Sequence, residues 1–164
     1  MHSLARRFAL IAGAVALTSL PDGSNAQGPS APPLRFVGAP GLYSEYEITR
    51  DTTIAHAGRA SVRIRGGEEA AGFGNLSTVF PAQPYVGHRI RFSVFLRAAS
   101  LNGQGAQLWA RADDSAHRSV AFFNSGATLF RGTTDWTQLS ISLDIPVGAT
   151  QVFVGALSHG PGSL

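Results

Sequence analysis

His88-Arg89-Ile90-Arg91-Phe92-Ser93-Val94-Phe95-Leu96-Arg97 is the stretch that decides the fold. Ile90, Phe92, Val94 and Leu96 fall on one side of an extended chain, while Arg89, Arg91, Ser93, Phe95 and Arg97 fall on the other. Strict period two is the mark of a strand with one face in a core. The same alternation returns downstream. Ala106, Leu108, Ala110 and Ala112 stand opposite Gln107, Trp109 and Arg111; Leu139, Ile141, Leu143 and Ile145 share a face; Val152, Val154 and Ala156 oppose Phe153 and Leu157. Weaker strands are expected at Tyr46 and Ile48, at Val62 and Ile64, at Leu76, Thr78 and Phe80, and at Val120 and Phe122. Pro81, Pro84, Pro146, Gly66-Gly67 and Asp113-Asp114 fall between them, where turns need such residues. No dozen-residue window carries apolar spacing at i, i+3, i+4 and i+7, so roughly nine strands and an all-β antiparallel sandwich are expected.

Outward from this body, the chain opens with Arg6 and Arg7, an apolar stretch from Phe8 to Leu17, and the small-residue triplet Ser24-Asn25-Ala26. That order reads as a secretory signal cleaved after Ala26, because the apolar stretch is short for a membrane span. Residues 27–33 turn to Gly, Pro, Ser and Ala and read as a flexible linker. Residues 34–164 are then one domain, of a length that buries a proper core. An exported, periplasmic or extracellular protein is expected, with no membrane contact once the leader is removed.

All 13 basic residues are Arg; losing Arg6, Arg7 and Asp22 with the leader leaves 11 Arg against 9 acids. A nearly balanced charge gives no clustered basic face for phosphates, so nucleic acid is not an expected partner. With no Cys in the chain, the fold rests on burial alone and thiol chemistry is excluded.

Tyr85-Val86-Gly87 leading into His88–Arg97 resembles the central strand of a galactose-binding-like jelly roll. Leu108-Trp109-Ala110-Arg111, Gly132-Thr133-Thr134-Asp135-Trp136 and Leu143-Asp144-Ile145-Pro146 are similar to further parts of that fold. The resemblance covers about residues 34 to 164 and extends to carbohydrate-binding modules. It also takes in the N-terminal accessory domains of secreted erythromycin-esterase-like and tail-specific-peptidase-like hydrolases. It implies a binding or accessory role, and in some relatives a structural calcium ion, for which Asp51 and the turn His56–Ser61 are similar to the usual region. Such modules continue into a closing acidic strand, whereas this sequence ends at Leu164. A neighbour with an unpaired edge, and a truncated product or the N-terminal fragment of a hydrolase, are the matching expectations.

No catalytic set is found. There is no G-x-S-x-G around Ser61, Ser93 or Ser125. His56, His88, His117 and His159 are scattered singly, with no zinc-ligand spacing. Among the carboxylates, Glu68-Glu69 and Asp113-Asp114 lie in expected turns, and Glu45 and Glu47 on one strand face. The expectation is therefore no enzyme, no cofactor and no metal site in this chain. Trp136 is expected to start a strand and plug one end of the core.

The candidate ligand surface is the polar side of the two central strands: Arg89, Arg91, Phe95 and Arg97 beside Gln107, Trp109 and Arg111 on one concave sheet. Aromatic faces stack on sugar rings and Arg forks grip hydroxyls or carboxylates, so a glycan or small polar ligand is the expected partner. A second reading stands beside it: Phe95 and Trp109 are covered by loops, with the Arg stems lying over them. An interaction domain that docks on another protein by an exposed edge is a third.

Overall fold

The computed structural model describes the backbone of residues 16–19 and 37–38, and residues 45–126 and 130–164. The expected leader and linker, residues 1–33, lie outside them apart from Ala16–Ser19. The strands are β1 (Ala16–Ser19), β2 (Val37–Gly38), β3 (Tyr46–Asp51), β4 (Ser61–Gly66), β5 (Gly74–Pro81), β6 (Arg89–Leu101), β7 (Gly105–Asp113), β8 (Ser119–Asn124), β9 (Gly132–Asp144), β10 (Gln151–His159) and β11 (Gly162–Ser163). A three-residue 3-10 turn, Gln83–Tyr85, is the one helical element among the described residues.

Two antiparallel sheets face each other. One runs β2-β5-β10-β7-β8. In the other, β6 pairs with β9 along one edge, while β1 and β11 share its second edge and β11 leads on to β4 and β3. Alternation along each strand sends Ile90, Phe92, Val94 and Leu96 of β6 into the same core as Leu108 and Ala110 of β7 and Val152 and Val154 of β10, all buried. The all-β antiparallel sandwich is thus the observed architecture, built from the residues whose period-two spacing announced it.

Two features depart from the sequence reading. Strand β9 begins at Gly132, well ahead of Leu139, because the polar run Thr133–Gln138 pairs with the second half of β6. Trp136 therefore sits inside a strand; it packs against the core and also touches the outer face. More consequential is that β6 and β7 belong to different sheets. The chain leaves β6 at Leu101 and crosses the end of the sandwich through Asn102 and Gly103. There φ is +75°, and a Cβ would lie 3.0 Å from the His159 carbonyl oxygen. Only glycine suits both the dihedral and the close approach.

The end of the sequence is built into the core. Ser163 pairs with Ala99 of β6 and Arg65 of β4, and Leu164 and Ile64 each donate a backbone N–H to the other's carbonyl, at 2.9 and 3.1 Å. Leu164 and Ile64 are both fully buried. Further along the same edge of β6, Ala16 and Ser19 lie opposite Ser93 and Ile90.

Candidate functional site

The crossing between sheets divides the seven candidate residues. Arg89, Arg91, Phe95 and Arg97 stand on the outer face of the β6 sheet, and Gln107, Trp109 and Arg111 on the outer face of the β7 sheet, on opposite sides of the sandwich. The single concave platform expected from the sequence does not form. The cause is physical: alternation fixes which side of a strand faces the core but not which sheet the strand joins, and a tight glycine link serves a sheet-to-sheet step as well as a hairpin.

The β6 face satisfies itself. Arg89 donates two hydrogen bonds to Asp144 of β9, both 2.7 Å, and this pairing pulls the Asp144 carboxyl below its ordinary range. Arg97 lies 3.6 Å from Asp135, and the Ser93 and Ser140 hydroxyls meet at 2.8 Å. His56, from the loop after β3, stacks on Phe95 with ring centroids 3.7 Å apart and planes within 13°, and meets the Trp136 ring edge-on at 5.6 Å. Phe95 is thus covered by a loop, as the second reading of the sequence had it. Arg91 is exposed on this face.

Trp109 is arranged differently. Its strand neighbour at the same level is Gly155 of β10, and the next strand beyond is β5. The indole reaches across Gly155, and its Nε1–H donates to Asn75 Oδ1 of β5 at 3.0 Å. A Cβ on Gly155 would lie 2.7 Å from Trp109 Nε1 and 2.7 Å from the Leu76 carbonyl oxygen, so the ring occupies the space that a larger residue would take. Asn75 is held in turn by its own Nδ2–H, which donates to Ser77 Oγ at 3.3 Å. A half-buried tryptophan laid over bare backbone and tied at its polar atom is a fixed aromatic shelf.

Two residues along, a second row crosses the sheet. Phe122 of β8, Arg111 of β7, Phe153 of β10 and Val79 of β5 follow in register. The Arg111 guanidinium lies 4.7 Å above the Phe153 ring and 2.9 Å from Asp113 Oδ2. That ion pair takes up the one cation of this row. Asn124, opposite Trp109, closes the other flank, its Oδ1 accepting from Gly126 N at 2.8 Å. Gln107 is buried, so of the three candidates on this sheet Trp109 and Arg111 reach the surface. Sequence reasoning missed Asn75, Gly155, Phe153 and Phe122. Phe153 alone carried a signal, as the aromatic residue on the outward side of an alternating strand.

Asp51, Glu45 and Asp114 are engaged in structure. Asp51 Oδ1 accepts from Thr53 Oγ1 at 2.6 Å, Thr53 N at 2.7 Å and Ile54 N at 3.3 Å. These bonds, the Thr53 hydroxyl first, with help from Arg63 at 3.8 Å, hold its carboxyl below the ordinary value. Glu45 accepts from Ala71 N, and Asp114 is paired with Arg118 at 2.7 Å. Among the described residues no three His, Asp or Glu side chains are grouped to hold a metal ion, and no helix is long and apolar enough to cross a membrane.

No family model matches the sequence. A curated relative, the uncharacterized HTH-type transcriptional regulator YbfP of Bacillus subtilis, is 29% identical over 122 residues, which are 73% of this chain and 41% of that protein. The chain thus spans less than half of that relative's length. Among solved structures, the enzymatically active domain of tailspike protein 4 from bacteriophage CBA120 shares the fold at a TM-score of 0.52. It has 16% identity, over 79% of this chain and 17% of that one. The C-terminal family 22 carbohydrate-binding module of Clostridium thermocellum Xyn10B is similar at 17% identity over 87% of this chain and 83% of its own, with a TM-score of 0.47. At these identities the likeness is one of fold alone.

Proposed function

We propose that this chain is an exported, non-catalytic binding module that takes a carbohydrate on the outer face of the five-stranded sheet, with Trp109 as the stacking platform. The observation that carries the reading is the Trp109 indole, laid over Gly155 and tied to Asn75 at 3.0 Å. The apolar face of a sugar ring stacks on such a surface, and a ring already held in place loses little freedom on binding. Arg111 and Asn124 flank it with polar groups, and the reading needs no cofactor. The covered Phe95 and the paired Arg89 and Arg97 make the opposite face the weaker candidate.

Two further points support a binding role. Asp51, Asp113, Asp114, Asp135, Asp144 and Glu45 are held in hydrogen bonds or ion pairs, which fits structural duty rather than the acid and base or nucleophile that glycoside hydrolysis places across a cleft. A helix-turn-helix, the motif in the curated relative's name, is α-helical, and the described residues hold no α-helix. The shared segment is therefore read as a part of that relative other than its DNA-binding motif, and nucleic acid is not proposed as a partner.

The test is a titration of the purified chain against a panel of soluble polysaccharides by affinity electrophoresis, with Trp109→Ala alongside. Retardation by at least one polysaccharide, lost in Trp109→Ala while its circular dichroism matches wild type, is the expected result. A panel without any retardation, or retardation that survives Trp109→Ala, would sink the assignment. A second reading, an accessory segment of a larger secreted hydrolase, is favoured by the tailspike likeness, where the shared fold is 17% of a longer enzyme chain. Reading the gene beyond the Leu164 codon for a continuing catalytic frame tests it.

A further inference from the structure

We propose that the cavity where β4, β11 and β6 meet is a second binding site, independent of the Trp109 shelf, for a small zwitterion of the α-amino acid class. Ile64 and Leu164 point into the core, so their neighbours Arg65 and Ser163 point to the outer face of the β6 sheet, across the sandwich from Trp109. The cavity there has a volume of about 180 Å³. Pockets for drug-sized ligands run from about 300 to 1,000 Å³, so this one suits a molecule of few heavy atoms. Its floor is backbone: Gly66 and Gly162 pair across β4 and β11, and a Cβ on Gly162 would run into the Ser100 carbonyl oxygen. Ser100 itself stands at φ +51°, uncommon for a residue with a side chain, and its N–H donates to the Thr133 hydroxyl of β9 at 3.1 Å.

Three polar side chains stand over this floor without partners. Ser163 lines the cavity and is 5% exposed, yet among the described residues its hydroxyl meets no hydrogen-bond partner. A hydroxyl so far withdrawn from bulk water and left unsatisfied calls for an atom that is not part of the fold. Arg65 is the direct partner of Ser163 across β4 and β11, so the two side chains stand together on one face. Glu68 follows three residues later on the same rim. Arg65 is ion-paired neither with Glu68 nor with Glu47, which lies opposite it on β3, and both Arg65 and Glu68 are exposed.

The two charges decide the ligand. A guanidinium takes a carboxylate through two parallel hydrogen bonds, and the Ser163 hydroxyl beside Arg65 supplies one more donor to the same group. Ionised Glu68 only accepts, so it takes an ammonium. An acid alone would bring its charge up to Glu68, and an amine alone would bring its charge up to Arg65. A molecule that carries both signs satisfies both side chains and leaves the site neutral.

Heteronuclear NMR on the isotope-labelled full chain tests the site, with L-alanine, propionate, ethylamine and glucuronate as probes. L-Alanine should shift the backbone amides of Gly66, Gly67, Ser100 and Ser163 with a dissociation constant on the order of 10⁻³ M, as befits a small open site. Arg65→Gln and Glu68→Gln each remove one charge at an exposed position. Each should weaken L-alanine by about tenfold, the worth of one charge-assisted hydrogen bond, with circular dichroism unchanged. Amides that do not move up to about 10⁻¹ M L-alanine overturn the proposal. Binding that survives Arg65→Gln undiminished overturns it as well. So does propionate, ethylamine or glucuronate binding as tightly as L-alanine, since the site would then read a single sign. L-Alanine shifts that vanish in Trp109→Ala would also overturn it, because the cavity would not then be independent of the shelf.

Discussion

Gly155→Ala is the sharpest probe of the Trp109 shelf. The added methyl would sit 2.7 Å from both the indole Nε1 and the Leu76 carbonyl oxygen, and 2.9 Å from the Ser77 Cβ. Real Cβ atoms do not stand that close, so either the indole lifts off the sheet and releases Asn75, or β10 shifts against β5. Overpacking of this kind costs about 1–3 kcal/mol. Release of the Nε1–Asn75 hydrogen bond adds about 1 kcal/mol, so the variant should be destabilised by about 2–4 kcal/mol. In urea, with a slope of about 2 kcal/mol/M, the unfolding midpoint falls by about 1–2 M. Tryptophan fluorescence follows both the unfolding and the altered surroundings of the indole. Asn75→Ala is the control, since it removes the tether and leaves the ring its space. It should cost about 1 kcal/mol and weaken polysaccharide binding less than Gly155→Ala does. A Gly155→Ala midpoint within about 0.25 M of wild type, an amount near 0.5 kcal/mol, would refute the reasoning, because the indole would not then occupy the space above Gly155.

Leu164→Ala empties a fully buried position against Ile64, and a cavity of that kind costs about 2–4 kcal/mol. The thermal midpoint should drop by roughly 8–15 °C in calorimetry; an unchanged midpoint would mean that the last residue does not dock in the core. For Asp51, bonds to Thr53 and Ile54 depress the folded-state value below the ordinary 3.8, so the unfolded chain binds the proton more readily. The stability it contributes is therefore complete above that ordinary value and is lost as pH falls through the folded one. In urea unfolding from neutral pH down to about pH 2, Asp51→Asn should be less stable than wild type at neutral pH, and the gap should close at the acid end. A gap that stays constant over this range would remove Asp51 from the acid response.

The strands of the core were legible because burial writes itself into the sequence as alternation. Ile90 to Leu96, Ala106 to Ala112 and Val152 to Ala156 each announced their inward side, and the structure buries them. Which sheet each strand joins was not legible. The Asn102-Gly103 link looks like a hairpin turn, yet it carries the chain across the sandwich and separates Arg89, Arg91, Phe95 and Arg97 from Trp109 and Arg111. The site suffered the same limit. Asn75 and Gly155 lie far from Trp109 in sequence, and their contribution arises only when β5, β10 and β7 come side by side. His56 over Phe95 is likewise a contact between a loop and a strand that no local pattern encodes.

The buried final residue has a practical consequence for anyone handling the protein. Leu164 is already hydrogen-bonded to Ile64 of β4, next to the Ser163 pairing with β6, so residues fused directly behind it would start beside the sheet rather than as a tail in solvent. Every second one would be driven toward the apolar interior. A histidine tag placed there would have imidazoles competing for core positions.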